Sequence, residues 1–159
     1  MDGIFGFENK SFTMNGKPTF IFGGEFHYFR CPRNQWRDRL QKIKDAGCNV
    51  VSTYIPWIWH ESDEGVIDLH GETRKEKDLE GFLKLVDEIG LYCIVRPGPY
   101  VMAETVNSGI PSWLLENYPQ VVGRDKNGKK HPSEVITYLH PTFLEKVRTW
   151  YDAVNDVIA

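Results

Sequence analysis

No stretch of this sequence approaches the roughly 20 consecutive apolar residues that a membrane-crossing helix needs. Cysteine is scarce as well. Cys31, Cys48 and Cys93 are an odd number and form no C-x-x-C pair. Cys48 and Cys93 sit in or beside apolar runs, where free thiols behave as small core residues. Charge of one sign is missing too: 19 basic residues face 22 acidic ones, for a net charge of −3. That balance gives no reason to expect nucleic acid or a membrane surface as partner. The one basic cluster, Arg124, Lys126, Lys129 and Lys130, surrounds Asn127-Gly128 and reads as a solvated turn. Met1 to Lys10 carries acid and no sustained apolar stretch, unlike a secretory leader, so a cytoplasmic setting is the expectation.

Known site signatures are equally sparse. No His pair has i, i+4 spacing, and His60-Glu61 lacks the second His of a zinc-protease motif, so no metal is expected. Ser52 has no elbow glycines around it and reads as a buried strand serine. What is present is the make-up of one globular domain: 159 residues, 41% hydrophobic and 13% aromatic, enough to bury a core.

The order of elements is regular. Asn15-Gly16, between two β-prone runs, predicts a hairpin, because both residues tolerate positive φ. Thr19 to Phe22, continuing toward Glu25-Phe26-His27-Tyr28, reads as a buried first strand. Trp36, Leu40 and Ile43 recur at helical spacing over Gln35 to Ala46, with Asn34 as the cap and Gly47 as the stop. The β-branched run Asn49 to Ile55 predicts a strand buried on both faces, halted at Pro56. A long loop follows. A second helix starts at about Asp78, with Leu79, Phe82, Leu83, Val86 and Ile89 on one stripe and Gly90 at its end. Leu91 to Val95 reads as a third buried strand, and another long loop reaches about His140. The last helix starts near Pro141, with Phe143, Val147, Trp150, Val154 and Val157 on one face.

Strand and helix therefore alternate three times, which implies parallel strands joined by crossovers. An open doubly wound sheet and a barrel both satisfy this pattern. The missing phosphate turn favours the α/β barrel, and so does the position of the unusual side chains after the strands. The first strand end offers Glu25, His27, Tyr28 and Arg30. The second offers Tyr54, Trp57, Trp59, His60 and Glu61, and the third offers Arg96, Tyr100 and Glu104. Aromatic faces suit the C–H faces of a pyranose, and carboxylates suit its hydroxyl rim. Each residue also has an ordinary role: Tyr54 or a tryptophan as core, Glu104 as a solvated loop carboxylate, Arg96 or Glu25 in a structural ion pair.

Gly24-Glu25-Phe26-His27-Tyr28-Phe29-Arg30, Trp36-Arg37-Asp38-Arg39-Leu40, Asn49 to Trp57 with His60-Glu61, Arg96-Pro97-Gly98-Pro99-Tyr100 and Gly109-Ile110-Pro111 follow one another in order. Together they resemble the opening of family 35 β-galactosidases over nearly all of residues 12–159. The resemblance implies a (β/α)₈ barrel, of which this chain carries the N-terminal hairpin and about the first three βα units. It implies retaining hydrolysis of terminal β-linked galactose by a longer parent, without a cofactor. It also implies substrate contacts at Tyr54, through the backbone of Ala103, and at Glu104. Retaining glycosidases need two carboxyl groups about 5–5.5 Å apart. The family's acid/base follows an asparagine on the fourth strand and its nucleophile comes later. No catalytic residue is therefore expected within residues 1–159, and the piece alone is expected to be inactive and association-prone. Met102 and Thr105 depart from the Cys or Asn, and the Trp, that the family often has, and residues 62–77 are longer and more charged. Another β-glycosidase of the same clan, or a non-catalytic carbohydrate-binding remnant, stays open.

Overall fold

The computed structural model describes residues 5–130 and 136–159. Its strands are β1 (Phe5–Glu8), β2 (Ser11–Met14), β3 (Lys17–Pro18), β4 (Gly23–Glu25), β5 (Val50–Tyr54) and β6 (Tyr92–Arg96). Its helices are α1 (Trp36–Asp45), α2 (Trp57–His60), α3 (Leu79–Ile89), α4 (Ser112–Asn117) and α5 (Pro141–Ile158). Two sheets form, ordered β1-β2-β3 and β4-β5-β6. The chain divides into two compact units, Met1–Thr53 with Gly81–Val95, and Tyr54–Glu80 with Arg96–Ala159.

In the first unit the expected hairpin joins β2 to β3. Asn15 and Gly16 take φ of +51° and +74°, the left-handed pair that a tight two-residue turn demands. An additional strand, β1, pairs with β2 in antiparallel register through a second turn at Asn9 and Lys10, also at positive φ. Turn chemistry carries no clear signal for it, because Lys is not a turn former.

The first strand of the second sheet is shorter than expected. Thr19 to Phe22 lies outside the strand: Phe22 O accepts from Asn49 N and Val50 N, and the Asn49 side chain takes up further backbone groups. Its Nδ2 donates to Phe20 O at 2.8 Å, and its Oδ1 accepts from Phe22 N at 2.9 Å. Only Gly23–Glu25 pairs with β5, in parallel, Gly23 opposite Val50 and Glu25 opposite Ser52. Alternation of strand and helix thus gives the parallel pairing read from the pattern.

α1 and α3 end where Gly47 and Gly90 were expected to end them. Asn34, however, does not cap α1. Residues Arg33–Gln35 form a 3₁₀ turn that runs straight into the helix, and no side chain serves as the cap. Beneath these helices lies an aromatic cluster. Tyr28 stacks on Phe82 with centroids 4.8 Å apart, and Trp36 meets both rings edge-on. The Trp36 indole N–H is satisfied by Tyr28 O and Cys31 O. All three rings are fully buried, and each contributes about 2–3 kcal/mol of burial.

β6 corrects the expectation of a third buried strand. None of its residues is fully buried and Ile94 is 44% exposed, because β6 is an edge of the three-stranded sheet. The three cysteines are free and half-buried. Burial alone pushes the Cys93 thiol up to about 12, so it stays protonated.

In the second unit α5 begins at Pro141, as its sequence predicts, and the His140 side chain accepts from Thr142 N. Phe143, Val147, Trp150 and Val154 form its buried stripe. The two connections read as plain loops contain α2, α4 and three 3₁₀ turns, Lys75–Lys77, Val106–Gly109 and Pro119–Val121. The Asn127-Gly128 segment is the solvated turn expected: Asp125 Oδ1 accepts from Asn127 N and Lys129 N, and the basic residues around it are exposed. No helix among the described residues is long and apolar enough to cross a membrane.

Candidate functional site

Not every strand-end residue is available for chemistry. In the first unit Tyr28 is part of the aromatic cluster, and burial raises its phenol well above the ordinary value. Glu25 is exposed, with the His27 Nε2 3.7 Å from its carboxylate, and Arg30 lies over the Phe29 ring.

In the second unit α2 sorts its own residues by facing. Trp57 is fully buried between Trp150, stacked at 6.1 Å, and Trp113, met edge-on at 5.8 Å. It is wall, not platform. Glu61 is also structural: Oε2 accepts from the Trp57 indole at 2.5 Å, Oε1 accepts from Gly65 N, and its carbonyl accepts from Trp113. His60 is buried with Nδ1 2.6 Å from Asp68 O. That distance requires Nδ1 to carry the proton and donate it. Burial lowers the His60 pKa to about 4, so the ring is neutral near pH 7.

Trp59 faces differently. It is half-buried, and the Arg74 guanidinium lies 4.9 Å from its ring centroid. Arg74 comes from the charged segment of residues 62–77, which is folded around Asp68. The Asp68 carboxylate accepts from the backbone N–H groups of His70, Gly71, Glu72 and Thr73 and from the Thr73 hydroxyl. Burial works to raise the Asp68 pKa, but these bonds outweigh it and hold the group well below the usual carboxylate range. A second tie is Glu64, which accepts from Lys146 Nζ at 2.8 Å, Tyr118 OH at 2.6 Å and Asn117 Nδ2 at 2.9 Å. Those partners, with Lys146 first, bring its pKa down to about 2.

Tyr54 and Arg96 end β5 and β6 and are brought together. Ile55 N donates to Arg96 O at 3.0 Å, and the Arg96 guanidinium carbon lies 3.7 Å from the Tyr54 ring centroid. Both residues are half-buried. Their strand-end positions single out each of them in the sequence. Stacking of a cation on a ring leaves no signal in spacing.

Ala103 and Glu104 occupy a closed loop after β6. Met102, Ala103 and Glu104 all have φ between +46° and +50°, and Asn107 and Ser108 follow at +50° and +54°. Such conformations cost L-residues of order 1 kcal/mol each and persist only when surroundings over-determine them. Here Val101 N and Met102 N both donate to Ser108 O, and the Thr105 N–H and hydroxyl both donate to Met102 O. Gly109 closes the loop, since a Cβ there would sit 2.4 Å from Val101 Cγ2. The loop's base is fixed by α5: the Trp150 indole donates to Pro97 O and the Tyr151 hydroxyl to Gly98 O, each at 2.7 Å. The 3₁₀ turn Val106–Gly109 packs on α2. Glu104 itself is exposed, and Ala103 is half-buried. A backbone held in this way offers fixed donors and acceptors to hydroxyl groups, with the Glu104 carboxylate exposed beside it. Among the described residues no group of three or more His, Cys, Asp or Glu side chains is placed to hold a metal ion.

Comparison with known proteins gives this arrangement its context. An exo-beta-D-glucosaminidase of Thermococcus kodakarensis is 46% identical over 156 residues, covering 96% of this chain and 20% of that protein. The human beta-galactosidase-1-like protein 3 is 42% identical over 141 residues, 89% of this chain and 19% of its own length. The chain thus spans about a fifth of the length of these curated relatives. In structure it resembles the beta-galactosidase from the psychrophilic Marinomonas ef1, with a TM-score of 0.65 at 18% identity over 83% of this chain and 18% of that one. That likeness supports the α/β fold of parallel strands and connecting helices; among the described residues the strands close no barrel. The sequence profile described as Glycosyl hydrolases family 35 matches residues 11–159, and the chain belongs to that family.

Proposed function

We propose that the whole protein is a retaining exo-β-glycosidase that removes terminal β-linked galactose from oligosaccharides or glycosides. Residues 1–159 would be the opening of its catalytic (β/α)₈ barrel, with β4-α1, β5-α3 and β6-α5 as the first three units. The observation that carries the reading is family membership across residues 11–159. In this reading Tyr54 and Glu104 hydrogen-bond the sugar's hydroxyl rim and Ala103 contacts it through its backbone. A carboxylate acceptor gives such bonds charge-assisted strength. The general acid and the nucleophile, which retention requires about 5–5.5 Å apart, lie on strands beyond these three. Carbohydrate is the only partner this reading requires, and no cofactor enters it.

A second reading is favoured by one specific observation. The relative that is 46% identical over 156 residues is an exo-beta-D-glucosaminidase. In that reading the sugar carries an ammonium group at C2, and an anionic acceptor such as Glu104 would suit it as well as a hydroxyl.

The test is hydrolysis of a panel of 4-nitrophenyl β-glycosides by the whole protein, with the anomer of the released sugar followed by NMR. Fastest release from the β-galactoside with retention is the expected result. Fastest release from the β-glucosaminide with retention selects the second reading. Inversion, or no β-glycoside cleaved, rejects both.

A further inference from the structure

The geometry points to Arg96 as a positioning residue that aims the Tyr54 hydroxyl, a role that rests on the sugar-binding reading of Tyr54 above. The two residues sit at the ends of neighbouring strands, and the bond from Ile55 N to Arg96 O fixes their backbones to each other. A guanidinium carbon 3.7 Å from the ring centroid is in contact over the ring. Such a cation is attracted by the negative face of the ring, and the attraction grows where water is partly excluded, as it is around these half-buried groups.

The consequence concerns direction. A tyrosine ring turns about two side-chain bonds, and its hydroxyl, at the far end, sweeps the widest arc. A flat cation pressed on one face removes that freedom. Hydrogen bonds weaken steeply when distance and angle stray, so a sugar hydroxyl is held only if the phenol is already aimed. Arg96 therefore acts through Tyr54 and need not touch the substrate. Lysine could not replace it, because an ammonium is a compact point charge on a flexible stem with no plane to lay on the ring.

The experiment is a double-mutant cycle in the whole enzyme, with Arg96→Lys, Tyr54→Phe and the pair. It uses whichever of the 4-nitrophenyl β-galactoside and β-glucosaminide is cleaved faster. Each single change is expected to raise KM about 3- to 10-fold, the loss of one neutral hydrogen bond, with kcat little changed. The double variant is expected to match Tyr54→Phe alone, because aiming a hydroxyl that is absent has no value. Arg96→Gln, flat but uncharged, is expected to recover part of the KM lost in Arg96→Lys. Thermal melts accompany each variant.

Additive effects on KM would overturn the proposal, since Arg96 would then act independently of the Tyr54 hydroxyl. A wild-type KM in Arg96→Lys would overturn it too, showing that charge without the flat contact suffices. If Tyr54→Phe leaves KM unchanged while hydrolysis continues, the sugar-binding reading of Tyr54 fails first and takes the proposal with it. The two failures are thus distinguishable.

Discussion

Phe5, Phe7, Phe12 and Phe20 in the first unit and Trp57, Trp113 and Trp150 in the second are all large rings with similar apolar surface. The four phenylalanines are 45–83% exposed, whereas the three tryptophans are at most 7% exposed. The difference lies in what surrounds them. In the second unit α2, α4 and α5 each contribute one of the tryptophans, and every indole N–H is satisfied, by Glu61 or by Pro97 O. Polar ties at Asp68, Glu64 and Thr105 then fix the connecting segments. In the first unit Phe5, Phe7, Phe12 and Met14 share one face of the antiparallel sheet, by the pairing of Phe5 with Met14 and of Phe7 with Phe12. An open apolar hollow of about 460 Å³ lies beside them, lined by Phe5, Phe12, Met14, Ile21, Val50 and Ile94 among others. The three tryptophans of the second unit close a core around fixed loops, while the four phenylalanines of the first lie largely in water.

That contrast can be broken most forcefully at Gly109. Gly109→Ala forces a left-handed φ on an L-residue and drives its Cβ into Val101. A loss of about 2–4 kcal/mol is expected, read as a lower urea midpoint, and, on the proposed reading of Ala103 and Glu104 as sugar contacts, a higher KM in the whole protein. Wild-type values for both would mean that the loop is not held as described.

Acid acts on the same unit through His60. Its folded pKa of about 4 lies below the ordinary 6.5, so the unfolded chain binds the proton more readily between those values. Stability is therefore full above pH 6.5 and falls as pH drops toward 4, by about 3 kcal/mol in all. His60→Gln is expected to flatten this slope, and an equal slope in wild type and variant would discount His60 as its source.

Glu64 produces a smaller effect at lower pH. Its pKa is depressed to about 2, so its contribution is present above about pH 4.5 and disappears as pH falls through 2. Glu64→Gln is expected to cost about 1 kcal/mol near pH 7, a value kept low because water screens this part-exposed group. A thermal melt indistinguishable from wild type would show that the tie to Lys146 adds nothing.

The first unit should respond in the opposite sense. Phe7→Glu is expected to change stability by less than about 0.5 kcal/mol, because the ring is 68% exposed. It should nonetheless reduce self-association of the 159-residue chain in sedimentation experiments. Unchanged association would show that this face is not the one that sticks.

How much of this was legible in the sequence depends on the range of the interaction. The hairpin at Asn15-Gly16, the helix stops at Gly47 and Gly90, and the stripe of α5 were readable because periodicity and turn chemistry are local. β1 was missed because its turn, Asn9-Lys10, uses a residue that rarely turns. The shortened first strand was missed because Asn49, 27 residues beyond Phe22, competes for its backbone. At the candidate site, Tyr54, Arg96, Ala103 and Glu104 could be named from the ordered motifs. The stack of Arg96 on Tyr54 and the run of left-handed residues could not, since both depend on neighbouring strands and on the closure of a loop. Trp57 and Trp59 look alike in the sequence, and only the facing of α2 separates wall from rim. Asp68 carries a local signal, since Asp followed three residues later by Gly71 is an ordinary turn pattern.

In the proposed function a sugar is held at the strand-end loop of the second unit. The most direct test is the KM of the whole enzyme with Glu104→Gln, beside a thermal melt. A rise of about tenfold or more, as expected for a lost charge-assisted bond, with an unchanged melt, is the predicted result. An unchanged KM and kcat in the folded variant would contradict it.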